Sequence, residues 1–337
     1  NCSICWKDPT NNLRTKFSSS GRALDYTTSV IDGLMPKAEL RWLEIKPGNR
    51  CNLKCRICGV HNSSSWAKDD AAMSWRITDK KFKESWAYRY TQSCDWIDDH
   101  KIWNDINQLE SIEYIHFMGG EPFMVPEHFQ LLERLVESNI DTDKITVIYN
   151  TNGTYFPTDK QFELYSKFRK IMFQLSIDDI GKRFEYERNL AYWDEVRKNI
   201  QLFKQKEESW QRGSLIQSLL DPTISIYNIF YMNEIEKEFN ALGFTLTIFN
   251  EHQVVGGPTD CRSLPAEVKD AIVEKYKNST SVWIRGNIAF LTKNKPTQQF
   301  KMFVRHTNKL DELRKEKFSD TFSKYFKLLQ PYWKENE

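Results

Sequence analysis

Several things are missing from this chain, and each absence removes a class of protein. No apolar run approaches the roughly 20 residues of a membrane-spanning helix, and no charged, apolar leader opens the sequence at Asn1. Neither sign of charge dominates. The 48 Lys and Arg face 46 Asp and Glu, a net charge of +2, so the charge balance carries no strong signal for nucleic acid or an anionic membrane. There is no internal repeat and no low-complexity tract. The seven cysteines are odd in number and crowded at short spacings, which makes a poor disulfide framework. Crowded thiols in a chain this size point instead to metal binding in a reducing compartment, so a cytoplasmic protein is expected.

What is present is a large core and a regular alternation. Hydrophobic residues make up 40% of the 337 positions, enough to bury a sizeable interior. Period-two or β-branched runs at 40–46, 111–118, 144–150, 171–177, 214–220 and 244–250 read as strands. Helical spacing follows several of them. Phe129, Leu132, Leu135 and Val136 share one face after Pro126, and Trp193, Val196, Ile200 and Phe203 share another. Thr158 and Gln161 have the spacing of a capping box, and Asn233 and Gly243 suit the start and stop of a further helix.

About six strand–helix units therefore lie between residues 39 and 258, which implies an α/β fold with a parallel sheet. Six units are too few for a full eight-unit barrel, leaving an open partial barrel or a doubly wound sheet. In either, chemistry belongs at the carboxyl ends of the strands. Residues 259–337 read as a mostly helical extension, and residues 1–38 as a short, loop-rich, cysteine-bearing lead.

Cys51, Cys55 and Cys58 fall just after the first strand, spaced C-x3-C-x2-C. Thiolates bind soft metals, zinc or iron–sulfur clusters. A closed zinc site needs four ligands, which His61 would complete. A [4Fe–4S] cubane held by three cysteines instead keeps one iron open for a small molecule. From spacing alone both readings stand. Gly119-Gly120-Glu121-Pro122 ends the second strand, Asn150 to Asn152 the third, and Ser176 to Asp178 the fourth, so the suggestive segments converge on one rim.

Together these residues resemble the radical S-adenosylmethionine (SAM) superfamily. Its signature is the same cysteine triplet after the first strand of a six-unit partial, TIM-like barrel. The residue before the third cysteine is usually aromatic in the family and is Ile57 here, still able to pack on an adenine. The resemblance implies that Cys51, Cys55 and Cys58 bind a [4Fe–4S] cluster and that Gly119, Gly120, Glu121 and Pro122 receive the SAM amino group. It places Ser176 and Asp178 against the ribose and the carboxylate of SAM, with Asn150 lining the pocket. It further implies an enzyme, an oxidoreductase or transferase. Reductive cleavage of SAM would yield a 5′-deoxyadenosyl radical that takes hydrogen from a peptide, sugar, nucleoside or small molecule. Flavodoxin or ferredoxin would be the electron donor.

Cys2 and Cys5 form a C-x2-C pair that resembles part of a truncated auxiliary-cluster ("twitch") domain, with Cys94 or Cys261 as conceivable further ligands. Two free thiols or a zinc knuckle are the plainer readings. Asn250, Glu251 and His252 follow the sixth expected strand and are candidates to face substrate, although a lone histidine is more often structural. The rival functions are a zinc-stabilised binding protein and a family member that keeps the fold but not the catalysis.

Overall fold

The computed structural model describes residues 40–73, 109–211, 215–247, 250, 252–293 and 298–335. The chain divides into two compact units, Asn1–Leu40 and Arg41–Glu337, and the elements below lie in the second. Cys2, Cys5, Cys94 and Glu251 fall outside the described residues.

Five strands build the main sheet: β1 (Trp42–Ile45), β2 (Tyr114–Phe117), β3 (Thr146–Thr151), β4 (Lys170–Leu175) and β5 (Leu215–Leu220). Their spatial order is their sequence order, and every neighbouring pair is parallel. A doubly wound sheet reverses its strand order at a switch point. This one does not, so the winding is that of a barrel wall.

The sheet's two faces follow from the period of two. One face carries the register row Ile115, Val147, Ile171 and Ile216 and the next row Phe117, Tyr149 and Phe173, all buried. In that second row the rings stack, with centroids 5.3 Å apart for Phe117–Tyr149 and 5.8 Å for Tyr149–Phe173. The opposite face is mixed: Glu44, His116, Asn150 and Gln174 lie on it beside Met172 and the buried Thr146 and Ile148.

Helices cover the apolar face. Helix α1 (Ala67–Met73) lies between β1 and β2, and α2 (Glu127–Glu137) follows β2 and buries Leu131, Leu132 and Leu135. Helix α3 (Asp159–Tyr165) opens with the expected capping box, Thr158 and Gln161 each holding the other's backbone N–H. After β4 come α4 (Gly181–Glu187) and α5 (Trp193–Ser209), the latter burying Trp193, Val196, Ile200 and Phe203. Glu207 of α5 accepts the N–H of Ser218 at 3.0 Å, closing one donor of the edge strand β5.

The described part of the sixth expected strand, residues 244–247, does not pair as a strand. A separate two-stranded parallel pair consists of β6 (Thr223–Ile224) and β7 (His252–Gln253). Between them, α6 (Met232–Ala241) ends at Gly243 with φ +83°. Asn233 lies inside α6, because a one-turn 3-10 helix at Ile229–Tyr231 leads directly into it. Residues 244–247 have no ladder. Asn250 supplies the substitute: its side chain accepts the N–H of Thr247 and donates to the Leu220 carbonyl, each at 2.9 Å. An Asn that bonds backbone locally competes with strand pairing.

The rest is helical: α7 (Ala266–Tyr276), α8 (Val282–Leu291), α9 (Gln298–Arg314), α10 (Phe318–Thr321) and α11 (Ser323–Lys334). Trp283, Phe303, Phe318, Phe322, Tyr325 and Trp333 join the same buried core as the sheet.

One close approach positions the later site. The segment leaving β1 runs against the segment leaving β2: Gly120 N–H donates to Gly48 O at 3.2 Å and Glu121 N–H to Arg50 O at 2.7 Å. A Cβ on Gly120 would sit 2.1 Å from the Arg50 carbonyl oxygen. Gly119 has φ +112°, and its Cβ would sit 2.7 Å from Lys46 Cγ. The glycine pair is thus required by chain packing on chain.

Two stability measurements check these assignments. Thr158→Ala should lower the urea-unfolding free energy by about 1 kcal/mol, the usual worth of a cap. Gly120→Ala should cost about 3 kcal/mol, the upper end for overpacking, since the atoms in its way are backbone.

Candidate active site

The cysteine loop follows β1. Cys51 and Cys58 are half-buried, Cys55 is buried, and all three are free thiols. The loop's backbone is held from two sides. Side chains just downstream take its carbonyls: Ser65 donates to Cys51 O at 2.7 Å, Ser63 to Leu53 O at 2.5 Å, and Trp66 Nε1 to Cys55 O at 2.9 Å. The end of α4 takes its N–H groups: Lys54 N donates to Asn189 O at 3.0 Å and Arg56 N to Glu187 O at 2.7 Å.

Arg56, between two of the cysteines, turns away into the protein. Its Nη2 lies 2.6 Å from both Asp311 and Glu316, its Nε donates to Tyr186 O at 3.0 Å, and its guanidinium sits 3.6 Å over the Tyr186 ring. Lys54 pairs with Asp69 at 3.0 Å, and Arg314 pairs with the same carboxylate at 3.0 Å while lying over Trp66. Lys54 and Arg56 thus serve as anchors of the loop.

The sulfurs share one environment. Burial pushes all three thiols above the ordinary cysteine range, and for Cys55 the charges of Cys58 and Cys51 add to it. Asn152 Nδ2 approaches Cys51 Sγ at 3.9 Å, and Arg188 Nη1 approaches Cys55 Sγ at 3.8 Å. Metal ligation needs thiolates, so loading this site must release protons into solvent.

Which metal fits is decided by how the ligands spread. A single zinc ion gathers its sulfurs at about 2.3 Å from one point. Among the described residues, no three His, Cys, Asp or Glu side chains close around such a point, and His61 is exposed. The four-ligand zinc set is therefore not assembled. A cubane binds each cysteine at a different iron and asks for a wider set of sulfurs. Three free thiols on one loop, with much of the loop's backbone already bonded, are the donor type that such a cluster takes.

The remaining expected residues divide into two layers. Glu121 is buried, and its carboxylate already accepts Thr151 Oγ1 at 2.8 Å, Asn152 N–H at 2.8 Å and Phe123 N–H at 3.3 Å. Burial nevertheless pushes its pKa up to about 7. Pro122 is buried at the start of a one-turn 3-10 helix that Glu121 caps. Asp178 is likewise interior: Oδ1 accepts Thr223 N–H at 3.0 Å, and Oδ2 pairs with Arg188 Nη2 at 2.8 Å. Both acids were expected against SAM; in the structure both are committed to the protein.

Ser176 is half-buried at the end of β4, tied by its N–H to Thr151 O at 2.8 Å. Asn150 ends the mixed face of β3 and meets His116 Nε2 at 2.7 Å. Ile57 is half-buried and packs on the core. His252 is exposed and pairs with Asp221 at 3.1 Å, whose carboxyl is raised chiefly by burial. Asn250 is a structural bracket, and Cys261 is a fully buried thiol pushed up to about 12 by burial. Sequence reasoning missed Arg56, Arg188 and Asn152's contact with sulfur. Only the placement of an arginine inside the triplet hinted at the first.

Comparison with known proteins gives one family match and a set of similar folds. Residues 45–210 match the family model described as Radical SAM superfamily. No curated protein matches the chain. Among solved structures, anSMEcpe with bound AdoMet and the Cp18Cys peptide is 20% identical with a TM-score of 0.42, over 73% of this chain and 61% of that one. Streptococcus suis SuiB bound to S-adenosylmethionine is 15% identical with a TM-score of 0.41, over 75% of this chain and 52% of that one. The chain thus spans about three fifths of the length of the first and half of the second. Residues 45–210, which include the cysteine triplet beyond the carboxyl end of β1, are thus similar to the radical SAM superfamily.

Proposed function

We propose that Cys51, Cys55 and Cys58 hold a [4Fe–4S] cluster and that SAM binds beside it, along the carboxyl rim of β2, β3 and β4. When bound and reduced, the cluster supplies the electron that splits SAM into methionine and a 5′-deoxyadenosyl radical, the species that abstracts hydrogen from substrate. The observation that carries this reading is the cysteine loop itself. Its backbone is bonded by Ser63, Ser65, Trp66 and the end of α4, while its three thiols remain free.

The chain's own residues then have distinct tasks. Carbonyls of Gly119 and Gly120 accept the SAM ammonium, and the Ser176 hydroxyl and the Asn150 amide meet its polar groups. Glu121 and Asp178 act from behind, fixing Asn152 and Arg188. Ile57 packs on the adenine. The mixed face with His116, Asn150 and Gln174 is where substrate meets the radical. The substrate is an organic molecule with an abstractable hydrogen, and a flavodoxin or ferredoxin provides the electron. Free thiols at an oxygen-sensitive centre suit a cytoplasmic protein. Cys2 and Cys5 provide half of a second cluster.

Anaerobic reconstitution with iron and sulfide, reduction, and addition of SAM tests the reading. About four irons per chain with 5′-deoxyadenosine is expected for one cluster, and about eight with the second. Cys55→Ala should lose the main cluster and all SAM cleavage. Tight zinc with no iron uptake would reject the proposal.

A further inference from the structure

Arg188, which Asp178 fixes, has a further place in the site. It follows α4 and is 6% exposed. Its two chain neighbours are bonded to the cysteine loop on either side of Cys55: Glu187 O accepts Arg56 N–H, and Asn189 O accepts Lys54 N–H. Residues 54 and 189, and 56 and 187, are thus paired in antiparallel fashion, which sets Arg188 directly across from Cys55. The chain then turns through Leu190, an exposed non-glycine residue at φ +78°. A left-handed leucine costs about 1–2 kcal/mol, so this pairing is maintained against local strain.

The side chain exploits that placement. Nη1 lies 3.8 Å from Cys55 Sγ, and Nη2 lies 2.8 Å from Asp178. Nε is buried and has no hydrogen-bond partner among the described residues. The charge of Arg188 also reaches Cys58, where Lys46 is a second, weaker cation. Glu187, buried next door with both oxygens unbonded, is pushed strongly towards its neutral form by burial and by Asp179 and Asp178. Arg188 and Asp178 are therefore the opposed formal charges nearest the Cys55 sulfur.

We propose that Arg188 is a positioning and charge-tuning residue for the cluster. It stabilises the more negative, reduced state through Cys55, with Asp178 moderating its charge. This rests on the cluster assignment above. The basis is general: a cation and hydrogen bonds at a ligating sulfur raise a cluster's reduction potential.

The test is a redox titration of the reconstituted protein without SAM, with iron counted in each sample. Arg188→Gln with normal iron should show about tenfold less reduced cluster at a fixed potential, equivalent to about 59 mV for one electron. Arg188→Lys should recover part of that loss. Asp178→Asn, which leaves the cation unmoderated, should shift the ratio the opposite way. Equal midpoints in wild type and Arg188→Gln would overturn the proposal. If Arg188→Gln takes up no iron, Asp178→Asn decides: a shift to higher potential supports the proposal, and no shift overturns it. Loss of iron from both variants with unchanged circular dichroism makes the pair purely structural and overturns it. Wild-type protein that takes up no iron rejects the cluster assignment itself.

Discussion

The residues from Cys51 to Gly59 form neither helix nor strand, yet everything proposed for this chain needs them rigid. A buried loop must find partners for its backbone or lose one to three kilocalories, roughly, for each unmet group. Here the partners come from opposite sides. Ser63, Ser65 and Trp66 are local and cover the carbonyls. Glu187 and Asn189 arrive through the β4–α4 unit and cover the N–H groups. The loop's conformation therefore depends on the β4–α4 unit as well as on its own neighbours, and the fold arranges its thiols.

The same loop draws the C-terminal helices into the site. Arg56 is fully buried, and its charge is met by Asp311 in α9 and Glu316 just after it. A buried pair of this kind contributes little net stability against an apolar equivalent, but losing one partner costs about 3–5 kcal/mol. Its use is geometric. Arg56 flanks Cys55 directly, so the position of α9 is transmitted to the loop through a guanidinium fixed on four sides. Asp69 extends the arrangement by pairing with both Lys54 of the loop and Arg314 of α9. The helical extension is structurally continuous with the cysteine loop.

How much of this was legible in the sequence depends on the range of each interaction. The five strands, the capping box at Thr158 and the buried stripe of α5 were readable because each is set by residues within one turn or one pleat. In the expected strand at 244–250, the described residues 244–247 are unpaired, and Asn250 bonds the backbone of Thr247 and Leu220 instead. The cysteine triplet and Gly119-Gly120 were visible as patterns, but the reason for the glycines was not. They admit Arg50 and Gly48 of the preceding crossing, a contact about 70 residues away along the chain. The roles of Arg56 and Arg188 were not readable, since their partners lie in other elements.

The two acids of the motifs, expected against SAM, are both bonded within the protein. Three thiolates around iron make a site rich in negative charge. A carboxylate set directly on such a site would oppose it. In the structure, an N–H donor stands between acid and sulfur in both places. Glu121 accepts the backbone N–H of Asn152, whose side-chain amide meets Cys51. Asp178 pairs with Arg188, whose other nitrogen meets Cys55. Each buried carboxylate thus orients a donor instead of confronting the thiolate, and each donor is held with its hydrogen towards sulfur. Hydrogen bonds aimed at sulfur are among the means by which a protein sets the behaviour of an iron–sulfur centre. Each acid is thus bonded to the residue whose other donor approaches a cysteine sulfur, and that is where burial places it.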